Sequence, residues 1–253
     1  MKLYDVVFSP TGGTQKVAAL LTDALEGEVT RVNLTDSKQD FCAVQLTQED
    51  VAVICVPSYG GRVPAVAVKR LTALHGNGAR AILVCVYGNR AYEDTLVELE
   101  DAARQAGFQV IAAVAAVAEH SVARQFAAGR PDAQDAKQIS DFAKKIQDKL
   151  SAQDFSEPAI PGNRPYKKVG GVGVVPKPTK ACTNCGVCAT KCPVQAIDKE
   201  NAEKVDGKAC ISCMRCISVC PQSARKVNPI MLWAASLMLK KVCSERKACE
   251  LFL

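Results

Sequence analysis

The chain has 253 residues, 48% of them apolar, with 32 Lys and Arg against 26 Asp and Glu for a formal net charge of +6. That length holds one large domain or two smaller ones with their own cores, and the composition points to no class but globular. No stretch reaches the roughly 18 uninterrupted apolar residues of a membrane span; the longest candidate, Pro229 to Leu239, is short and runs into Lys240 and Lys241.

From the N-terminus, residues 2–8 read as a buried strand rich in β-branched and aromatic side chains. The first residues lack a signal-peptide core and cleavage site, so a cytoplasmic protein is expected. Next comes Ser9-Pro10-Thr11-Gly12-Gly13-Thr14, then a helical pattern at Val17, Leu20, Leu21, Ala24 and Leu25. Strand, hydroxyl- and glycine-rich loop and helix start together make an anion site, because free N–H groups and the helix dipole face a phosphate. The plainer alternative is an ordinary turn with Thr14 as the helix N-cap.

Apolar strand-like runs recur at Glu28–Val32, Val51–Val56, Ala79–Tyr87 and Gln109–Ala118. Helical segments separate the later ones: Pro64–Leu74, Tyr92–Ala106 and, after a long loop, Asp132–Leu150. Units of this kind in series predict an α/β fold, a doubly wound parallel sheet of five strands. Ligands of such sheets bind at the carboxyl ends of the strands where strand order switches. Three loops should meet there: residues 9–14, residues 57–63 with Ser58, Tyr59, Gly60, Gly61 and Arg62, and residues 87–93 with Tyr87, Gly88, Asn89, Arg90 and Tyr92. His75 and His120 stand alone and carry no expected role, and Glu93 and Asp94 open a helix where acidic residues are ordinary. Cys42, Cys55 and Cys85 read as small buried hydrophobes.

Residues 151–177 change character, with Pro161-Gly162-Asn163 and Gly170-Gly171-Val172-Gly173, and read as a linker over the surface. Beyond it, eight of the 13 cysteines fall in two copies of one pattern. Cys182-x2-Cys185-x2-Cys188-x3-Cys192-Pro193 is repeated 28 residues later as Cys210-x2-Cys213-x2-Cys216-x3-Cys220-Pro221. This is the bacterial ferredoxin spacing, in which three thiolates hold one cubane and the fourth crosses to the other. It predicts two 4Fe-4S clusters, one on Cys182, Cys185, Cys188 and Cys220, the other on Cys210, Cys213, Cys216 and Cys192. Structural zinc needs two pairs across a longer loop, and disulfides do not suit a cytosolic chain. The repeat extends to Ala196 and Ala224 and then decays, Ile197 and Asp198 facing Arg225 and Lys226. Val187, Ile197, Ile211, Ile217 and Val219 are expected to sleeve the clusters. The tail from Asn228 to Leu253 reads as an amphipathic helix that packs on the chain's own domains, with Cys243 and Cys249 completing no ligand set.

Charge distribution weakens a nucleic-acid reading. Residues 1–150 carry 16 Lys and Arg against 18 Asp and Glu, a net of −2, and residues 151–253 carry 16 against 8, a net of +8. Two oxidised clusters with their thiolates bring about −2 each, so the second part falls to about +4. What remains could steer an acidic redox partner.

Ser9-Pro10-Thr11-Gly12-Gly13-Thr14 is similar to the flavodoxin phosphate loop, (Ser/Thr)-x-Thr-Gly-x-Thr, at every specified position. With the duplicated cysteine run, the chain resembles the flavodoxin–ferredoxin fusion family of anaerobic bacteria and archaea. The resemblance implies a flavodoxin-like domain at 1–150, a linker at 151–177, a ferredoxin domain at 178–226 and a helical tail at 227–253. It implies FMN, its phosphate on Ser9, Thr11, Gly12, Gly13 and Thr14 and its ring against Tyr59 and either Tyr87 or Tyr92. Gly60 and Gly61 would bring a backbone group near the flavin N5, with Ser58, Gly88, Asn89 and Arg90 in the same loops. Arg62 and Arg90 stand where many flavodoxins have acidic residues, and cations there would favour the anionic reduced flavin. The expected function is electron transfer between clusters, FMN and a redox partner protein. The alternatives are an FMN-dependent reductase of a small substrate and a dedicated electron donor to one enzyme.

Overall fold

The computed structural model describes residues 2–168 and 173–253. The expected Gly170-Gly171-Val172 part of the linker lies outside the described residues.

Five parallel strands run in the order β2-β1-β3-β4-β5: β1 (Lys2–Val7), β2 (Glu28–Asn33), β3 (Val51–Pro57), β4 (Arg80–Tyr87) and β5 (Gln109–Val117). The central strand β3, VAVICVP, is buried at every position, as a strand covered on both faces must be. β2 is the edge and buries only Val32. Helices α1 (Gly13–Thr22) and α4 (Ala133–Ser151) cover one face through Val17, Leu21, Ile139 and Ile146. Helices α2 (Ala65–Leu71) and α3 (Thr95–Gln105) cover the other through Ala67, Leu71, Leu96 and Leu99. Order reverses between β1 and β3, so the crevice there opens at the carboxyl ends of those strands.

The cysteine repeats build the second part. Its short elements are β6 (Lys177–Pro178), α5 (Val187–Thr190), α6 (Arg215–Ser218) and β7 (Arg225–Lys226), with β6 and β7 paired antiparallel. The 28-residue offset of the sequence is kept by the backbone. Asn184 and Ser212, Gly186 and Met214, and Gln195 and Ser223 all take left-handed conformations.

The tail departs from a continuous helix. Asn228 caps α7 (Pro229–Cys243) by accepting from Ile230 and Met231 N–H, and the helix ends at Cys243. Residues Glu250–Phe252 then form β8, a sixth strand antiparallel to β5. One side of α7 packs on the chain, Ser236 accepting from Gln125 and Cys243 buried, while Ile230, Trp233, Leu237 and Met238 stay exposed. Packing on the chain's own domains therefore engages only one side of this helix. Cys42 is exposed rather than buried, since its segment forms no strand; Cys55 and Cys85 lie in β3 and β4 with no exposure.

Candidate functional site

The loop after β1 is held from two sides. Ser9 N–H donates to Thr35 Oγ1 at 2.7 Å, and Ser9 Oγ accepts from Gln15 N–H at 2.9 Å. The helix N-cap is Gly12 at φ +93°, not Thr14, and no side chain caps it. Among the described residues, no protein acceptor meets the N–H groups of Thr11, Gly12, Gly13 or Thr14. Four open donors at a helix start, beside the hydroxyls of Ser9, Thr11 and Thr14, fit a phosphate.

A cavity opens beside this loop at the switch point. Thr11, Gly13 and Thr14 line it from the first loop, Ser58, Tyr59 and Gly60 from the second, and Tyr87 and Gly88 from the third. Ser9 and Gly12 line an adjoining crevice on the far side of the loop, with Asp5, Arg31 and Arg215. Gly60, at φ +64°, has no atom within 4 Å of where a Cβ would stand, so its backbone borders open space. Burial, and then the nearby Cys213, push the Tyr59 phenol well above its usual range. These are walls into which a flavin fits: aromatic rings, a bare backbone and an anion pocket.

Other expected residues turn away. Arg62 forms a two-pronged pair with Glu98 at 2.7 and 2.8 Å, donates to Lys167 O and stacks on the Tyr166 ring. Arg90 pairs with Glu93 at 2.7 Å. Both guanidiniums are thus neutralised by carboxylates one helix turn into or just before α3, and neither lines the cavity. The expected bias toward an anionic reduced flavin loses its physical basis. Asn89 is buried and spends its side chain on the tail, donating to Cys243 O and Glu245 O and accepting from Lys247 N–H. Tyr92 donates to Glu250 at 2.7 Å and packs against Tyr87, leaving Tyr87 as the aromatic on the cavity. Gly61 faces Glu93, whose carboxylate stands 1.8 Å from its would-be Cβ.

A fourth loop was not expected. Glu119, His120, Ser121 and Val122, after β5, line the same cavity. His120 Nδ1 accepts from Val122 and Ala123 N–H at 3.2 and 3.1 Å, which puts the ring proton on Nε2. Burial, and then Arg90, hold its pKa below the ordinary value. Gly88 is required beside it, since a Cβ there would meet the imidazole at 2.6 Å. The clue in the sequence was position alone: this loop also leaves the carboxyl end of a strand.

The cysteines surround two further cavities, each walled from both repeats. Cys182, Cys185, Cys188 and Cys220 line one, Cys192, Cys210, Cys213 and Cys216 the other. Among the described residues no three His, Cys, Asp or Glu side chains converge on a single ion position. Sulfurs spread around a cavity fit the corners of a cubane better than a tetrahedral zinc ion. Ala196 N–H donates to Cys192 Sγ at 3.4 Å and Ala224 N–H to Cys220 Sγ at 3.2 Å, again 28 residues apart. Of the expected sleeve, Val187 lines the first cavity and Ile197 and Ile211 the second, but Val219 faces the crevice by the phosphate loop.

The two parts meet over the switch point. Arg215 Nη1 donates to Pro10 O at 2.9 Å, and Ile211 and Ser212 close one side of the cavity that holds Tyr59 and Tyr87. The linker is bound to α3 rather than merely lying over it. Asp94, 2% exposed, accepts from the N–H groups of Asn163 and Lys167, which hold its carboxyl below the usual range. Arg164 pairs with Asp101 and Glu100.

Residues 172–225 match the family model of a 4Fe-4S dicluster domain. No curated protein matches the chain. Among solved structures, a flavodoxin from the domain Archaea is 16% identical with a TM-score of 0.43, over 60% of this chain and 99% of that one. The Streptococcus pneumonia TIGR4 flavodoxin is 21% identical with a TM-score of 0.39, over 58% and 99%. At such scores these likenesses add nothing to the strand order, which carries the fold by itself. The chain is thus an iron–sulfur protein whose dicluster domain rides on a doubly wound α/β domain. Its order 2-1-3-4-5, reversing at β1/β3, is that of flavodoxins. By fold, the chain joins a flavodoxin-like α/β domain to a 4Fe-4S dicluster domain.

Proposed function

We propose that the chain is an electron-transfer protein that binds FMN at the switch point and two 4Fe-4S clusters in the crossed cysteine sets, and that it serves a redox partner protein in the cytoplasm. One observation carries this reading: the segment Cys210–Cys213 walls two cavities at once. Its cysteines border the second cluster cavity, and Ile211 and Ser212 border the flavin cavity. Bound there, the clusters supply single-electron chemistry and the flavin one- or two-electron chemistry.

The chain's own residues bind, orient and exclude water. Thr11, Gly12, Gly13 and Thr14 offer N–H donors to the phosphate, with Ser9 keeping the loop in shape through Gln15. Tyr59 and Tyr87 flank the ring, and His120, its Nδ1 taken by backbone N–H groups and its proton on Nε2, lines the same cavity. The set of Cys192, Cys210, Cys213 and Cys216 forms the inner cluster site and the set of Cys182, Cys185, Cys188 and Cys220 the outer one. The working division is 1–150 for the flavin domain, 151–177 for the linker, 178–226 for the dicluster domain and 227–253 for the tail, β8 joining the first sheet. Ile211 and Ser212 narrow the cavity, which favours a carrier over a reductase of a small substrate.

The test is anaerobic purification with iron, sulfide and FMN measured on one sample. About eight irons and one FMN per chain are expected. Eight irons with no flavin, even after soaking in FMN, would sink the flavin half of the reading. Turnover of quinones or disulfides well beyond free FMN would replace the carrier with the reductase.

A further inference from the structure

The two cysteine repeats share their spacing, their left-handed residues and their N–H to sulfur bonds, yet their walls differ in where a cation meets sulfur. Arg215, on the inner cavity in the place of Val187 on the outer one, is half-buried and donates to Pro10 O, whereas the outer cavity holds a buried arginine bonded to a cysteine. Ile197 lines the inner cavity, and its counterpart 28 residues on, Arg225, lines the outer one. Arg225 is 2% exposed and is among the largest fully buried side chains of the protein. Its Nη1 donates to Cys188 Sγ at 3.2 Å and to Ala202 O at 3.0 Å, and its Nη2 to Pro176 O at 3.2 Å. Its Nε meets no partner, and among the described residues no carboxylate pairs with it.

A buried guanidinium without a carboxylate is costly unless another anion shares its surroundings. The anion on this wall is the outer cluster site. A cubane with four thiolates is negative when oxidised and gains one further negative charge when reduced, so a cation in contact stabilises the reduced form more. The N–H to sulfur bond on Cys188 acts in the same direction.

Building on the cluster assignment above, we propose that Arg225 tunes the two iron–sulfur sites apart, making the outer cluster the higher in potential. The first electron delivered to the fully oxidised chain then rests on the outer cluster. The step is a one-electron reduction by a low-potential reductant such as dithionite, with no proton taken up and no bond broken.

The experiment is a redox titration followed by electron paramagnetic resonance on the anaerobic wild type, Arg225→Met and Arg225→Lys. Wild type should show two one-electron waves. A tenfold preference of the first electron for one site corresponds to a separation of about 59 mV. In Arg225→Met, with iron content unchanged, the upper wave should fall toward the lower. Arg225→Lys, which keeps the charge, should hold the upper wave nearer its wild-type position. Unchanged separation in Arg225→Met would overturn the proposal. If that variant assembles too little iron, the wild type alone still decides, because coincident waves exclude two tuned sites. Fewer than about eight irons in wild type would instead count against the cluster assignment.

Discussion

The α/β domain and the dicluster domain are held together by different means. The first buries two full layers of aliphatic side chains on either face of a sheet, from Leu3, Val53 and Ile82 to Leu83, Leu96 and Leu99. The second has six residues in its buried cluster, of which two are cysteines, three are alanines and only Ile197 is a large hydrophobe. So small a core cannot offset the ordering of its loops, and the metal must supply the difference. The α/β domain makes room for a cofactor, whereas the dicluster domain is organised around its own.

The largest expected effect follows directly. Stripping iron with a chelator should unfold residues 178–226 while the α/β domain keeps a cooperative thermal transition, read by circular dichroism and by limited proteolysis. A single transition lost together with the iron would erase the contrast. The substitution Cys192→Ala sharpens it further: about half the iron should go, and the cluster lost should be the one on Cys210, Cys213 and Cys216. Loss of the cluster of its own motif would refute the crossed arrangement.

Next in size is the linker clasp. Asp94→Ala leaves the N–H groups of Asn163 and Lys167 without their acceptor. Orphaned donors of this kind cost about 1–3 kcal/mol. Faster cleavage between α4 and the dicluster domain, with a lower melting temperature, is expected; an unchanged digestion pattern would show that the clasp contributes nothing.

The Gly12→Ala change is smaller on stability and more visible in binding. At φ +93° an L side chain is strained by about 1–2 kcal/mol. If the loop relaxes to avoid that strain, FMN affinity should fall roughly tenfold, for 1.4 kcal/mol is one decade. Fluorescence titration with FMN measures it, and wild-type affinity would mean that the loop does not need this conformation.

The smallest effect is a pH dependence. His120 has its pKa depressed in the folded chain, so the unfolded chain takes up the proton first as pH falls. Its stabilising contribution is complete above the ordinary value of about 6.5 and is lost as pH drops through the folded value. Melting temperature should fall between about pH 7.5 and 5.5, and fall less in His120→Gln. Equal slopes would remove His120 from the account.

Much of this comparison was legible in the sequence because both parts advertise themselves locally. Strands β3, β4 and β5 are unbroken apolar runs, the loop after β1 has its glycines and hydroxyls within six residues, and the cysteines repeat at one offset. Most of what escaped depends on residues far apart in the chain, the Arg90–Glu93 pair excepted. Arg62 and Arg90 looked like free cations beside a flavin, and Glu98, Tyr166 and Glu93 claim them. Asn89 and Tyr92 looked like flavin contacts, and residues 243–250 take both. β8 has three residues and no alternating pattern long enough to read; it exists because β5 had an open edge. Cys42 was misjudged because an apolar neighbourhood in sequence is not burial.

β8 has a topological consequence. Because residues Glu250–Phe252 return to the sheet that begins the chain, the dicluster domain is not an appendage on one stalk. It is an insertion fastened at both ends, between α4 on one side and the last strand on the other. A module on a single flexible tether can swing out and sample a wide volume, whereas one closed into a loop is confined to a much smaller one. The inner cysteines are therefore held beside the switch-point cavity by two chain connections rather than one, and moving the domain away from it costs more than on a single tether.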